Sequence, residues 1–269
     1  MSVASLSNYA HPLYVESVGE GEDVILLHGW GMHGAYWQSL IDGLQDKYRV
    51  HSIDLPGHGK SRYQDEQSMD DFIVRLRQTI DTVTDQAVHV IGWSLGGLLG
   101  QQLSLQFPDS IKSLQLIASS ASFVQRANWP HAMRQQVLTD FADMLMQDYR
   151  ITLNRFLALQ VRGSEQQQQG LRELKAKLFS RGEPNPLALR EGLSLLQQVD
   201  LRQAISALAI PVMLLGGERD TLVPAAALLA MAQQIKQSKL HIIKGAGHAP
   251  FLSHPDAVLK LSRAFLVNE

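Results

Sequence analysis

The run Gly92-Trp93-Ser94-Leu95-Gly96-Gly97 constrains this chain more than any other. It follows an apolar stretch, 88–92, that reads as a buried strand, and it opens a stretch, 95–107, that reads as a helix. A strand can turn into a helix this abruptly only where side chains are missing. Side chains at 92 or 96 would collide with neighbouring backbone, so glycine is required at both. The turn lifts Ser94 above the edge of a sheet, at the positive end of the following helix.

The rest of the chain supplies the alternation that such a turn needs. Apolar runs at 13–18, 24–28, 49–54, 88–92, 114–118, 212–216 and 240–244 are expected strands. Amphipathic stretches at 35–45, 69–83, 95–107, 224–237 and 255–266 are expected helices. Alternation of this kind implies an α/β fold with a mostly parallel sheet covered on both faces. The first two runs are joined only by Gly19-Glu20-Gly21-Glu22-Asp23. That gap suits an antiparallel hairpin and is too short for a crossover helix.

Between 120 and 206 the strand signal stops. Helical patterns at 133–146, 149–162, 170–179 and 186–198 take over, with Pro184-Asn185-Pro186 punctuating the last two. An all-helical insertion can lie over the carboxyl ends of the strands, where open α/β sheets bind ligands. We therefore expect a core formed by residues 1–119 and 207–269 and a helical cap, or lid, formed by residues 120–206.

Composition narrows the chemistry. Cysteine is absent from the 269 residues, which excludes disulfide scaffolds, thiolate nucleophiles and cysteine-ligated metal. This fits the reducing cytoplasm, where we place the protein, as a monomer. The net charge of −2 argues against nucleic acid as a partner. Met1 to Pro12 lacks the apolar core of a signal peptide, and no stretch nears the ~20 apolar residues of a membrane span. No internal repeat is found, and the Gln166 to Gln169 patch reads as a solvated turn or helix face.

A serine hydroxyl is a weak nucleophile until a base takes its proton and an acid orients the base. Two expected strand ends downstream of Ser94 supply candidates. Gly217-Glu218-Arg219-Asp220 follows the run 212–216, and Gly245-Ala246-Gly247-His248 follows the run 240–244. His248 is the expected base and Asp220 the orienting acid, with Glu218 as the alternative acid. The remaining histidines show no such placement, and none sits in a metal-ligand spacing, so no metal or cofactor is expected. A tetrahedral oxyanion needs two backbone donors. Leu95 N–H follows the nucleophile, and Trp30 N–H lies in the early loop His28-Gly29-Trp30-Gly31. His28 is read as an organiser of that loop. The turn Asp54-Leu55-Pro56-Gly57-His58-Gly59-Lys60-Ser61 is read as structural, since its spacing is not that of a phosphate loop.

Together, His28-Gly29-Trp30, the turn 54–61, the elbow 92–97 and Gly245 to His248 resemble the α/β-hydrolase superfamily over essentially the whole chain. Ser94 separates the chain from relatives that use aspartate at the elbow. A closer resemblance is to the pimeloyl-acyl carrier protein methyl ester esterases of biotin synthesis. It is carried by Leu26 to Gly31, the elbow, Arg155-Phe156-Leu157-Ala158-Leu159-Gln160, Val199 to Gln203 and His248-Ala249-Pro250-Phe251. The resemblance implies a serine carboxylesterase with oxyanion donors at Trp30 and Leu95. It also implies acyl-chain contacts at Phe156, Leu157, Ala158, Leu159 and Gln160, and an acyl carrier protein as partner.

Charge supports an acidic partner. From 150 to 181 the chain has seven basic residues against two acidic ones, Glu165 and Glu173, a net +5 within a total of −2. Arg155 and Arg162 are expected on one helix face, with Arg172 and Lys175 extending the patch. Three readings compete with the carrier-protein esterase. They are a general short-chain carboxylesterase, a carbon–carbon bond hydrolase, and a ligand receptor built on a hydrolase shell.

Overall fold

The computed structural model describes residues 11–162 and 167–267. Met1 to Ala10, Glu165 and Gln166 lie outside the described residues. Seven strands form one sheet: β1 (Val15–Val18), β2 (Glu22–Leu27), β3 (Tyr48–Ile53), β4 (Val88–Trp93), β5 (Ile111–Ile117), β6 (Val212–Gly217) and β7 (Ser238–Ile243). Their spatial order is β1-β3-β2-β4-β5-β6-β7. Six run parallel, so the carboxyl ends of β2 to β7 share one edge. Val24 to Leu27 are wholly buried and every residue of β4 is buried, as expected of parallel strands covered on both faces.

The expected hairpin between the first two strands does not form. β1 is antiparallel, but to β3, which lies between β1 and β2. The connection crosses the start of β3 so closely that only glycine fits. A Cβ on Gly19 would lie 2.4 Å from Tyr48 O, and one on Gly21 2.4 Å from Lys47 O. Both glycines have positive φ, +85° and +113°.

Helices α1 (Gln38–Leu44), α2 (Met69–Asp81) and α3 (Leu95–Gln106) follow β2, β3 and β4. A capping box between Ser68 and Asp71 starts α2. The segment between β5 and β6 carries α4 (Gln135–Gln147), α5 (Tyr149–Gln160), α6 (Gln167–Lys177) and α7 (Pro186–Gln198). Asp148 caps α5, and Asn185 caps α7 with Pro186 at its first turn. Helices α8 (Ala225–Ala232), α9 (Pro250–Ser253) and α10 (Pro255–Val267) complete the chain. Among the described residues no helix is long and apolar enough to cross a membrane.

The four-helix insertion touches the carboxyl edge of the sheet at several glycines. A Cβ on Gly57 would lie 2.3 Å from Ala188 Cβ, and Asn185 N–H donates to Gly57 O at 2.8 Å. A Cβ on Gly31 would lie 2.5 Å from Leu153 Cδ2. Gly57 and Gly31 therefore let α7 and α5 seat on the loops after β3 and β2.

Two glycines of α3 should respond oppositely to alanine. A Cβ on Gly96 would lie 2.2 Å from Leu27 O and 2.6 Å from His28 O, both backbone atoms that cannot yield. Gly96→Ala is expected to cost about 4 kcal/mol or more, lowering the thermal midpoint by about 10 °C or preventing folding. At Gly100 the nearest atoms are methyls, Leu114 Cδ1 at 3.0 Å and Val90 Cγ1 at 3.3 Å. Gly100→Ala gains about 1 kcal/mol of helix propensity to offset this, and its midpoint should stay within a few degrees of wild type.

Candidate active site

Ser94 occupies the turn between β4 and α3 at φ +53° and ψ −115°. Residues with a Cβ rarely adopt that backbone. Ser94 N–H donates to Ile117 O at 3.0 Å, and the Ser119 hydroxyl donates to Ser94 O at 2.8 Å. A Cβ on Gly97 would lie 2.5 Å from Ser119 Cβ, so glycine is needed to admit that serine. The turn is thus held by its neighbours, with Ser94 buried at the carboxyl end of β4.

Asp220 and His248 follow β6 and β7 on the same edge. His248 Nδ1 donates to Asp220 Oδ2 at 2.8 Å. Asp220 Oδ1 accepts from Leu222 N–H at 2.8 Å and Val223 N–H at 3.0 Å. The backbone fixes the carboxylate, and the carboxylate fixes the tautomer, which leaves Nε2 as the acceptor. Nε2 is buried and unpartnered, Ser94 Oγ included. Contacts of this kind commonly tighten only when substrate binds. Glu218 is exposed and accepts from Gly245 N–H at 3.0 Å, so it braces the loop that carries His248, while Asp220 is the carboxylate bonded to the imidazole. The two loops stack backbone on backbone: a Cβ on Gly217 would lie 2.2 Å from Gly247 O.

The loop carrying Trp30 lies against the serine. A Cβ on Gly29 would meet Ser94 Cβ at 3.3 Å, and Leu95 begins α3 directly after Ser94. Two histidines tie this loop to its neighbour. His28 Nδ1 donates to Gly29 O at 2.9 Å, and its Nε2 accepts from Leu55 N–H at 2.8 Å. His58 returns the arrangement: Nδ1 donates to Pro56 O at 2.8 Å, and Nε2 accepts from Gly31 N–H at 3.2 Å. Each ring needs one donor and one acceptor nitrogen, so each must be neutral. Burial holds His28 well below the ordinary imidazole range and pushes His58 down to about 4.

The insertion reaches the same place from above. Trp30 Nε1 donates to Leu189 O of α7 at 2.7 Å, and the Phe156 ring of α5 stands edge-on to the indole at 4.8 Å. A Cβ on Gly192 would lie 2.9 Å from Trp30 Cδ1 and 3.3 Å from Leu95 Cδ2. Phe156 and Gln160 share a face of α5, both buried, with Gln160 Nε2 reaching Phe156 O at 3.4 Å. Gln160 Oε1 is buried without a partner, and Gln160 O accepts from His248 N–H at 2.9 Å. Leu157 is fully buried, whereas Ala158 and Leu159 are half-buried. Sequence reasoning missed Leu189 and Gly192. A glycine inside a helical pattern does signal close approach, but not to what.

Arg155, Arg162, Arg172 and Lys175 are all exposed. The shared helix face expected of Arg155 and Arg162 needs correction: α5 ends at Gln160, and Arg162 lies in the turn beyond. Its N–H bonds to Leu159 O at 3.3 Å, a tightened turn that breaks the helical spacing. Arg155 Nη1 approaches Met144 Sδ at 2.8 Å and Arg172 Nε donates to Gln168 O at 3.5 Å, both within the insertion. The other three basic residues between 150 and 181 are bonded too. Arg150 pairs with Glu183, Lys177 reaches Ala35 O, and Arg181 pairs with Glu16 and Asp54. Among the described residues no three histidine, aspartate or glutamate side chains cluster to hold a metal ion.

With this geometry in view, the family model described as alpha/beta hydrolase fold matches residues 24–255. The chain belongs to the alpha/beta hydrolase fold family. It is 40% identical over 247 residues to the pimeloyl-[acyl-carrier protein] methyl ester esterase of Nitrosomonas europaea, covering 91% of this chain and 95% of the relative. It is 38% identical over 252 residues to the protein of the same name from Aeromonas hydrophila, covering 94% and 98%. Among solved structures it is similar to an esterase from Exiguobacterium antarcticum, with TM-score 0.86 and 21% identity over 95% of this chain and 96% of that one. It also matches the enol-lactonase from Burkholderia xenovorans, with TM-score 0.85 and 18% identity over 95% and 96%. At those identities the two structures speak for the fold alone.

Acid should destabilise the protein through the buried imidazoles. The unfolded chain takes up protons on His28 and His58 as pH falls through about 6.5, while the folded chain resists until about 4 at His58, and His28 is likewise held well below the ordinary imidazole range. Stability is therefore full above about pH 6.5 and is lost as pH falls from there, by up to about 1.4 kcal/mol per pH unit for each ring. Urea midpoints measured from pH 7 to pH 4.5 should fall, and less steeply in His58→Gln.

Proposed function

We propose that this chain is a serine carboxylesterase that hydrolyses the methyl ester of pimeloyl-acyl carrier protein, releasing methanol, in biotin synthesis. The observation that carries the reading is the near-full-length similarity to esterases of that name. The His248–Asp220 bond at the strand edge that bears the Ser94 elbow supports the chemistry.

In this reading Ser94, Asp220 and His248 form the catalytic triad. Ser94 Oγ attacks the ester carbonyl carbon as His248 Nε2 takes its proton. The carbonyl oxygen becomes an oxyanion held by Trp30 N–H and Leu95 N–H. Asp220 stabilises the imidazolium without taking the proton itself. Collapse of the intermediate breaks the bond to methoxide, which leaves as methanol with the proton from Nε2. Water then attacks the acyl-serine, giving its proton to Nε2. A second collapse returns that proton to Ser94 Oγ and frees the carboxylic acid. The protein's own residues carry every step.

The helices at 120–206 act as the cap. Phe156, Leu157, Ala158, Leu159 and Gln160 form the acyl-chain wall, with Phe156 and Gln160 facing the chain. Arg155, Arg162, Arg172 and Lys175 are all exposed, and they form the face that meets the acidic carrier protein. The protein works as a cytoplasmic monomer.

Hydrolysis of methyl esters, free and carrier-bound, tests the reading. Ser94→Ala and His248→Ala should each lower turnover by about a thousandfold or more, because triad members act as a unit. Retention of a tenth of wild-type activity by Ser94→Ala would refute the assignment. Asp220→Asn should also cost orders of magnitude, while Glu218→Gln should cost little. Arg155→Glu with Arg172→Glu should reduce kcat/KM for the carrier-bound ester about tenfold at low salt and spare free esters. Equal losses on both substrates would assign the arginines to the pocket instead.

A further inference from the structure

The loop that presents His248 is short of side chains. Gly245 has φ +74°, and Gly247 immediately precedes the histidine. The bond to Asp220 sets the tilt of the imidazole but does not locate the Cα from which it hangs. Two further bonds do so, from opposite sides of the residue. His248 N–H donates to Gln160 O, at the end of α5, at 2.9 Å. His248 O accepts from the indole N–H of Trp93, also at 2.9 Å.

Trp93 adjoins Ser94 in sequence and sits in the elbow itself. Its indole is fixed by packing: the Phe251 ring stands edge-on at 4.9 Å, and the Trp37 ring at 6.5 Å. The indole passes from the nucleophile's turn to the main chain of the histidine. A shift of the elbow therefore carries the histidine with it. On the other side, Gly247 is what lets α5 approach. A Cβ there would lie 3.0 Å from Gln160 O and 3.4 Å from Arg162 O.

We infer that Trp93 is a positioning residue for the reaction, whose indole N–H, with Gln160 O opposite, clamps the main chain of His248 and keeps base and nucleophile in register. The inference rests on the reading of His248 as the base. It gives the middle residue of the elbow a task beyond filling space. It also makes the end of α5 part of the support of the base, so the insertion that walls the acyl chain holds the catalytic group as well.

The neighbouring tryptophan provides a matched control. Trp37 is fully buried in the same aromatic cluster, but its indole N–H has no partner. Trp93→Phe and Trp37→Phe remove the same atoms from the same cluster, and only the first removes a bond to His248. Trp93→Phe is expected to lower kcat about ten- to hundredfold with KM within about twofold, since misplacement of a catalytic group by about 1 Å costs about a hundredfold. Trp37→Phe should keep kcat within about twofold. The downfield proton resonance of the His248–Asp220 bond, which Asp220→Asn abolishes, should shift or broaden in Trp93→Phe and not in Trp37→Phe.

Wild-type kcat in Trp93→Phe, or an equal loss in Trp37→Phe, would overturn the inference. Should Trp93→Phe fail to fold, Gly247→Ala decides. A fall in kcat at unchanged KM supports the clamp, and wild-type kcat rejects it. His248→Ala is measured alongside. If that variant is active, the base assignment itself has failed. If it is dead while Trp93→Phe is unimpaired, only the clamp has.

Discussion

The backbone of Ser94 is the constraint around which the rest of the site is arranged. A serine at φ +53° sits in a conformation that costs on the order of 1–3 kcal/mol, and the surrounding structure must over-determine it. It does so with backbone. Gly96 lets α3 begin against the ends of β2, Gly92 lies under Gly97, and Ser119 closes the turn from the end of β5. Three strands therefore meet at one residue. Their shared edge fixes where the loops after β2, β6 and β7 can place Trp30, Asp220 and His248.

Those loops are stiffened by pairing rather than by burial of bulk. His28 and His58 exchange backbone hydrogen bonds between the loops after β2 and β3, and both rings work only when neutral. Their burial, costly for a charged imidazole, keeps them so. On the other side of the site the loops after β6 and β7 stack directly, with Gly217 making room for Gly247 O. The proposed oxyanion donor and the proposed base are thus each held by a neighbouring loop.

The helical insertion closes this arrangement. It meets the loops through main-chain carbonyls, Leu189 O on Trp30 and Gln160 O on His248. Carbonyls at fixed positions of a helix are less mobile than side chains, so they suit the holding of the proposed base. The basic residues of the insertion divide by the same logic. Arg181, paired with buried Asp54, anchors the insertion to the core. Arg155 and Arg172 are exposed and, among the described residues, bond only within the insertion, to Met144 Sδ and Gln168 O, which leaves them for the proposed acidic partner.

The sequence by itself determined the fold class and the turn that carries Ser94. Gly92 is specified locally, because a Cβ there would lie 2.6 Å from Gly96 O and Gly97 Cα, whereas Gly96 and Gly97 make room for Leu27 O and Ser119 from elsewhere in the chain. The alternation of buried strands and amphipathic helices, and the helical block from 120 to 206, follow from hydrophobic period alone. Pro184-Asn185-Pro186 marks the start of α7 because proline and asparagine act within one turn. Only the tertiary structure decided what crosses between distant segments. The partner of β1 is β3, since the route of a glycine-rich connection depends on a strand that comes later in the chain. The face of Arg162 was lost because α5 ends where its terminal carbonyl meets the histidine loop. That the indole N–H of Trp93 reaches His248, while that of Trp37 beside it has no partner, is invisible in sequence. Both are buried tryptophans, and a hydrogen bond between residues 155 positions apart exists only once the sheet has brought their loops together.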